Sequence, residues 1–191
     1  MSPLAAAAIV VVLGGLGLLG LMKRAQAASG AVPGAVSGPD PGARILAPAK
    51  YPYADLINRF AEKYGEDPDL IAAVIKVESG FDPNAENPED PGLDYDSSYG
   101  LMQVQLAVAE DFGKVEDYKN ATAAEIAWLK VPENNINCGT WNLDRWVDKY
   151  GLDVALHMEN VGENGYLNKG RRNWPHVDKI KAAYDEYKNA S

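Results

Sequence analysis

The segment from Asp67 to Ser79 constrains the fold more than any other part of the chain. Asp67 is followed by Pro68, and a capping acid followed by Pro at the first helical position is typical of a helix start. Residues 70–79 (LIAAVIKVES) place apolar side chains almost all round this helix, so other elements must enclose it. We therefore expect a domain of helices packed around one central helix.

The rest of residues 51–191 also predicts an all-α domain. Apolar residues recur at helical spacing in several segments, and capping signals mark where helices begin. No stretch alternates convincingly between apolar and polar residues as a half-buried strand would. The predicted helices cover residues 53–64, 67–79, 101–112, a short segment after a Thr122/Glu125 capping box, a long segment from Pro132, residues 152–160, and a last segment from Pro175.

Residues 3–22 form an uncharged, apolar run of twenty residues. A helix of that length spans roughly 30 Å, the thickness of a bilayer core. A cleaved signal peptide is the alternative, because Ala25-Gln26-Ala27 fits a small-x-small cleavage site. However, no basic residue precedes the run, and it is longer than a usual signal-peptide core, so a retained transmembrane helix is favoured.

A linker follows this predicted helix. Eighteen of the 26 residues from 25 to 50 are Ala, Gly, Pro or Ser, a composition that cannot bury a core of its own. The chain is therefore expected to consist of a membrane anchor (1–24), a flexible linker (25–50) and a folded domain (51–191).

The folded domain is strongly acidic. Residues 1–50 hold four basic residues and one acid, which leaves 14 basic and 26 acidic residues and a net charge of −12 for the remainder. A nucleic-acid partner is not expected, because it would require a basic surface. The single cysteine, Cys138, allows neither an intrachain disulfide nor a cysteine-based metal cluster. We expect Cys138 to be a small core residue, and we expect no metal or other cofactor.

Glu78 is the strongest candidate for proton chemistry. It lies in the last turn of the apolar helix, where a carboxylate opposes the helix dipole at a cost of about 0.3–1 kcal/mol. Burial among apolar neighbours also favours the protonated form of a carboxyl group. An acid that keeps its proton near neutral pH can donate it to a glycosidic oxygen. The alternative is a glutamate on a solvated face, and position alone does not decide between the two.

Four sequence blocks favour a catalytic role for Glu78. They are residues 78–85 (ESGFDPNA), 100–103 (GLMQ), 135–143 (NINCGTWNL) and 160–162 (NVG). In this order they resemble the soluble lytic transglycosylase family, relatives of goose-type lysozyme, and the resemblance extends over residues 53–187. It implies a helical, lysozyme-like fold with a groove that binds the glycan strands of peptidoglycan.

The resemblance also implies roles for individual residues. Glu78 matches the family's catalytic acid/base, and Ser79 matches a neighbour that helps to hold the site. Met102 and Gln103 match residues that line the groove beside the cleaved bond. Asn160 matches a polar residue near the catalytic glutamate. Taken without the family, Met102 could equally be a core methionine and Asn160 a helix cap.

The resemblance further implies a reaction that needs one carboxyl group. Ordinary glycoside hydrolysis uses two, whereas a lytic transglycosylase protonates the leaving oxygen and deprotonates the muramoyl 6-hydroxyl with the same residue. The product is a 1,6-anhydro sugar, and neither water nor a metal takes part.

Two departures from the family pattern leave the product open. Glu159 stands where the family usually has tyrosine. It could hold a water and make the enzyme a hydrolase, favour the protonated form of Glu78 by like-charge repulsion, or face solvent. The second departure is an acidic insertion, residues 87–97. Asp94 or Asp96 could be a second catalytic carboxylate or part of an incomplete calcium loop, although a solvated acidic loop is favoured.

Aromatic side chains are further candidates for contact with sugar rings. Tyr99 directly precedes the GLMQ block and is expected to lie beside the groove. Trp141 and Trp146 also offer flat faces, but at helical spacing they are more often core residues, and we expect them to be so.

The cellular setting follows less directly. Lys23 and Arg24 come immediately after the apolar run, and positive charge there keeps its side of a membrane cytoplasmic. A domain that cleaves peptidoglycan must instead reach the cell wall, and a virus with an internal lipid membrane would remove this conflict. We expect a single-pass membrane protein whose domain faces peptidoglycan, in a virion membrane or a bacterial cell envelope. Virion or secretion-complex proteins are expected as further partners.

Three functions remain in order of preference. A lytic transglycosylase comes first and a muramidase-type hydrolase second. A non-catalytic wall-binding or structural component that kept the groove comes third.

Overall fold

A computed structural model describes residues 49–88 and 97–190, and they form a helical domain. The predicted transmembrane helix, most of the predicted linker, and Asp94 and Asp96 of the acidic insertion lie outside these residues. In the described residues, no helix has both the length and the apolar composition needed to cross a membrane. The helices are α1 (Ala54–Tyr64), α2 (Pro68–Ser79), α3 (Leu106–Asp111), α4 (Ala123–Leu129), α5 (Pro132–Tyr150), α6 (Leu152–Leu167) and α7 (Trp174–Asn189).

Helix α2 lies in the core, as its sequence predicts. The Asp67 side chain accepts a hydrogen bond from the backbone N–H of Asp69, and Pro68 occupies the first turn. Residues 70–75 are all buried. Helix α7 packs along α2 with Val177, Ile180 and Tyr187 on its buried side, so the C-terminal helix covers the helix that carries Glu78.

The capping signals at other helix starts are also confirmed. Thr122 and Glu125 form a complete capping box ahead of α4, in which each side chain bonds the backbone of the other residue. Pro132 occupies the first turn of α5. Cys138 and Trp146 are buried on α5, as expected for core residues, whereas Trp141 is half-buried and packs on Phe112 at 5.2 Å between ring centroids.

A small antiparallel sheet replaces part of a predicted helix. Strands β1 (Glu86–Asn87), β2 (Ser98–Tyr99) and β3 (Val104–Gln105) pair in the order β1-β2-β3. The prediction of a helix from residue 101 was therefore wrong, since α3 begins only at Leu106. The backbone turns at Gly100 (φ 75°) and Gln103 (φ 45°), and these left-handed conformations interrupt any helix.

Helix α6 continues beyond its predicted end at residue 160. Gly162 adopts φ 70° and ψ 160° and breaks the helical path, and helical structure then resumes as far as Leu167. Glycine makes this kink inexpensive because it has no Cβ. Gly162 follows Glu159 and Asn160 closely in the chain, so the kink lies next to two residues of the predicted site.

Candidate active site

Glu78 lies in the last turn of the central helix α2 and is largely enclosed. The helix ends at Ser79, and Gly80 follows it with φ 61°. Only 12% of the Glu78 side chain is exposed. The Oγ atom of the adjacent Ser79 donates to the carbonyl oxygen of Leu101 at 2.8 Å and lies 3.2 Å from that of Ile75. Ser79 therefore fastens the end of α2 to the turn that begins the GLMQ block.

His176 contacts Glu78, and the sequence analysis did not identify it. The Nε2 atom of His176 lies 2.9 Å from Oε1 of Glu78, and its side chain is also only 12% exposed. The distance is that of an ion pair, but the angles are not those of a hydrogen bond. Neither buried atom has a hydrogen-bond partner among the described residues. Asn173-Trp174-Pro175-His176 reads in sequence as a cap and first turn, which gives no sign that the chain brings His176 to Glu78.

Asn173 holds the first turn of α7 against α6. Its Oδ1 caps the helix by accepting from the backbone N–H of His176 at 3.2 Å, and its Nδ2 donates to Oδ1 of Asn160 at 2.8 Å. Its backbone N–H donates to Nδ1 of His157 at 3.3 Å. Asn160 is thus linked to His176, the residue that contacts Glu78.

Glu159 is a second carboxyl group at the site. Its side chain is half-buried, and its Oε1 atom is fully enclosed without a hydrogen-bond partner in the described part of the chain. Burial first, and then the negative charge of Glu78, raise the pKa of Glu159 well above its ordinary value, whereas Arg145 opposes the shift. The sequence left three roles open for Glu159. The one in which its carboxyl group faces solvent is wrong, because the Oε1 atom is enclosed.

A small cavity lies beside Glu159. Its volume is about 10 Å³, and its lining includes Glu159, Met102, Asn142 and Trp146. That volume is close to the minimum that holds one water. The indole Nε1 of Trp146 is also enclosed and has no hydrogen-bond partner among residues 49–88 and 97–190. The cavity is therefore bordered by a residue with an unpaired donor and one with an unpaired carboxyl oxygen.

The GLMQ block forms a tight turn held by a buried asparagine. The Asn135 Oδ1 atom accepts from the backbone N–H of Met102 at 2.7 Å, and its Nδ2 donates to the carbonyl oxygens of Tyr99 (2.7 Å) and Leu129 (2.8 Å). A Cβ at Gly100 would clash with this Asn135 amide and would lie 2.9 Å from the Leu129 oxygen. The glycine is therefore needed for both its backbone conformation and its small size.

The residues of this turn that are predicted to contact sugar have structural contacts of their own. Met102 is 1% exposed and packs against Gly139, which fits the core alternative. The Gln103 amide bonds Ser98 Oγ and the carbonyl oxygens of Ala85 and Gly100. Tyr99 is half-buried, with the Lys130 ammonium 5.9 Å from its ring centroid. Sugar contacts by Met102, Gln103, Tyr99 and Asn160 stay predictions.

A larger cleft opens on one side of the domain. It has a volume of about 790 Å³ and is bordered by α3, α5, α6 and a short 3-10 helix (Tyr118–Asn120). Glu78 does not border it. The cleft and the small cavity beside Glu159 share the lining residues Gln105, Val108 and Trp146. Glu159 therefore lies on the side of the site that adjoins the cleft.

The described residues contain no group of three or more His, Cys, Asp or Glu side chains that could hold a metal ion.

Comparison with known proteins gives the same family as the sequence blocks. Residues 55–181 match the family model described as "Transglycosylase SLT domain". The membrane-bound lytic murein transglycosylase C of Photorhabdus laumondii is 34% identical over 104 residues, which is 54% of this chain and 27% of that protein. The protein of the same name from Edwardsiella ictaluri is 36% identical over 88 residues, covering 46% of this chain and 22% of that protein. The chain thus spans about a quarter of the length of these relatives.

Solved structures give a more distant likeness. The 70 kDa soluble lytic transglycosylase from Escherichia coli aligns with 72% of this chain and 22% of its own chain, at 20% identity and a TM-score of 0.45. The family match covers well over half of the chain and includes Glu78, Glu159 and His176. The chain therefore belongs to the transglycosylase SLT domain family.

Proposed function

We propose that this chain is a peptidoglycan lytic transglycosylase and that Glu78 is its general acid and general base. The observation that carries the proposal is the position of Glu78, an enclosed carboxyl group at the end of the buried helix α2. It lies within the region that matches the family. The relatives named lytic murein transglycosylases support the same activity.

In the proposed reaction, Glu78 donates its proton to the oxygen that joins C1 of N-acetylmuramic acid to N-acetylglucosamine. The C1–O bond breaks, and its electron pair stays on the oxygen of the leaving N-acetylglucosamine. The 6-hydroxyl of the same muramoyl residue attacks C1, and the Glu78 carboxylate takes the hydroxyl proton. A 1,6-anhydro ring closes, no water is consumed, and Glu78 regains the proton it gave.

The environment of Glu159 favours this route over hydrolysis. Hydrolysis in most glycosidases requires a second carboxyl group that is ionised, either to attack C1 or to activate water. Burial and the charge of Glu78 raise the pKa of Glu159, so the neutral acid is the preferred form at this position. A neutral Glu159 can neither attack C1 nor remove a proton from water.

A muramidase-type hydrolase is the second candidate, because the small cavity beside Glu159 favours it. A water held between Glu159 and the Trp146 indole would become a nucleophile if Glu159 lost its proton. Since the raised pKa of Glu159 opposes that loss, hydrolysis would gain importance only as the pH rises.

Mass spectrometry of peptidoglycan digested with the full-length chain tests the two candidates. Muropeptides that end in 1,6-anhydro-muramic acid, and that are absent with Glu78→Gln, would support the transglycosylase. Products heavier by one water would identify a hydrolase. A digest without any Glu78-dependent product would refute both and leave a wall-binding or structural component.

We further propose that residues 3–22 anchor the chain in a membrane and that residues 25–50 tether the domain for local opening of the wall. The apolar length of residues 3–22 and the word "membrane-bound" in the relatives' names support an anchor. Viral entry is the favoured setting, because Lys23 and Arg24 conflict with an ordinary envelope topology. Resistance of the full-length chain to alkaline extraction from membranes, lost on deletion of residues 1–24, tests the anchor. Equal extraction of both would contradict it.

A further inference from the structure

The contact between His176 and Glu78 has no part in a one-carboxylate mechanism. The proposed reaction requires Glu78 alone to donate and accept the proton, yet His176 Nε2 lies 2.9 Å from Glu78 Oε1. Both side chains are nearly nine-tenths enclosed, and neither of the contacting atoms has a hydrogen-bond partner in the described residues. The two atoms therefore face each other in an enclosed region, where polar groups interact more strongly than in water.

The position of His176 is fixed by three separate contacts of Asn173. The Asn173 side chain caps α7 at the His176 N–H and at the same time holds Asn160 on α6. The Asn173 backbone donates to His157. These contacts fix the backbone position from which the imidazole reaches Glu78.

The charged and titratable groups near the pair belong to helices α2, α5, α6 and α7. Helix α2 contributes Glu78 itself, and α6 contributes Glu159, whose negative form would repel Glu78. Helix α5 contributes Arg145, which acts on Glu159. His157, the other histidine on α6, accepts at Nδ1, and burial lowers its pKa, so it brings no positive charge to the site at neutral pH. On α7, Asp178 and Lys179 are exposed to solvent.

We propose that His176 is a positioning residue for Glu78: its imidazole, 2.9 Å from the carboxyl oxygen, holds the carboxyl group in the orientation from which it reacts. This inference rests on the proposed function, because the consequence for activity requires Glu78 to be the acid. Orientation matters in both halves of the reaction, since the same carboxyl group first gives its proton to the glycosidic oxygen and then takes one from the 6-hydroxyl.

The imidazole NMR signals test the contact without reference to activity. The sequence has two histidines, so the full-length chain gives two sets of imidazole signals. Glu78→Gln replaces the carboxyl group beside His176 by an amide, and we expect the ring signals of His176 to change their chemical shifts. The His157 signals should remain unchanged and report that the packing between α6 and α7 is intact. Unchanged His176 signals in the variant would overturn the proposal.

Kinetics then test the consequence for catalysis. His176→Ala removes the side chain that contacts Glu78, so kcat should fall at least several-fold while KM stays unchanged. His176→Gln keeps a polar side chain of similar length beside Glu78 and should recover part of the lost kcat. Lys179→Gln is the matched control, since it removes a positive charge from the exposed side of the same helix, and its kcat and KM should equal those of the wild type.

Failure of this inference can be distinguished from failure of the proposed function. His176 signals that respond to Glu78→Gln in a chain that does not cleave peptidoglycan would support the contact and refute the proposed function. An active chain in which both His176 variants keep the wild-type kcat would refute the role of His176.

Discussion

The Oδ1 atom of Asn160 accepts a hydrogen bond from the Nδ2 of Asn173 at 2.8 Å. This bond joins a residue of the family's NVG block to the N-cap of α7, and through that cap to His176. It explains how Asn160 can matter for Glu78 without acting on the substrate.

Asn160→Ala is therefore expected to lower kcat and to leave KM nearly unchanged. Loss of the bond loosens Asn173 and with it the imidazole that orients Glu78, whereas binding of the glycan is unaffected. Steady-state kinetics on purified peptidoglycan strands measure the two constants separately. An increase in KM at constant kcat would mean instead that Asn160 binds the sugar.

Glu78→Gln should abolish most of the activity without unfolding the domain. Removal of a general acid/base costs roughly 10²–10⁴-fold in rate, and the isosteric amide preserves the packing at the end of α2. Rates of muropeptide release and the thermal midpoint Tm are the two measurements. A variant that retains wild-type rates would exclude Glu78 as the acid.

Glu159→Gln should stabilise the domain, and the effect should depend on pH. Folding raises the pKa of Glu159. The wild type therefore loses stability as the pH rises from the ordinary glutamate pKa, about 4.3, to the raised pKa of the folded state. Each pH unit inside that window costs up to about 1.4 kcal/mol. The variant should thus have a higher Tm at pH 7 and match the wild type near pH 4.

Glu163→Gln provides the control of opposite sign on the same helix. The Tyr150 hydroxyl and Lys149 lower the pKa of Glu163, although desolvation partly opposes them. Ionised Glu163 therefore stabilises the folded state at pH values above the ordinary carboxyl pKa, and this stabilisation is lost as the pH falls through the lowered pKa. Glu163→Gln should decrease Tm at pH 7 by a small amount, because 40% of its side chain is exposed and solvent screens its charge. Identical pH dependence of the two variants would contradict both assignments.

Gly100→Ala should destabilise the domain far more than Gly113→Ala. Both glycines have φ near 75–78°, but a Cβ at Gly113 meets no atom within 4 Å, whereas one at Gly100 meets Asn135 and Leu129. Backbone strain alone costs about 1–2 kcal/mol, and overpacking adds about 1–3 kcal/mol at Gly100. Denaturant unfolding gives both free energies, and equal losses would show that Asn135 yields to the added methyl group.

Local sequence signals predicted most of the helices because their causes are local. Asp67-Pro68, the Thr122/Glu125 box and Pro132 each satisfy or replace backbone donors within one turn, so their effect is visible in a few residues. The start of α3 was missed because nothing in Val104 and Gln105 themselves excludes a helix, and only their pairing with Ser98 and Tyr99 makes them a strand.

Candidate site residues could be named from the sequence where they lie in a recognisable block, and were missed where their place depends on tertiary packing. Glu78, Ser79 and Glu159 are candidates because of the family's blocks, and their roles stay predictions. The contact of His176 with Glu78 depends on how α7 lies along α2, and residues nearly one hundred positions apart carry no local mark of that contact. The burial of Glu159 likewise depends on α5, which supplies Trp146 and Arg145 around it.

Digestion of peptidoglycan in H₂¹⁸O, followed by mass spectrometry of the released muropeptides, tests the central claim most directly. The 6-hydroxyl of the substrate is the nucleophile in the proposed reaction, so the products should carry 1,6-anhydro-muramic acid without ¹⁸O, and they should be absent with Glu78→Gln. Glu78-dependent products that contain one ¹⁸O at the reducing end would show that water is the nucleophile and would contradict the transglycosylase mechanism.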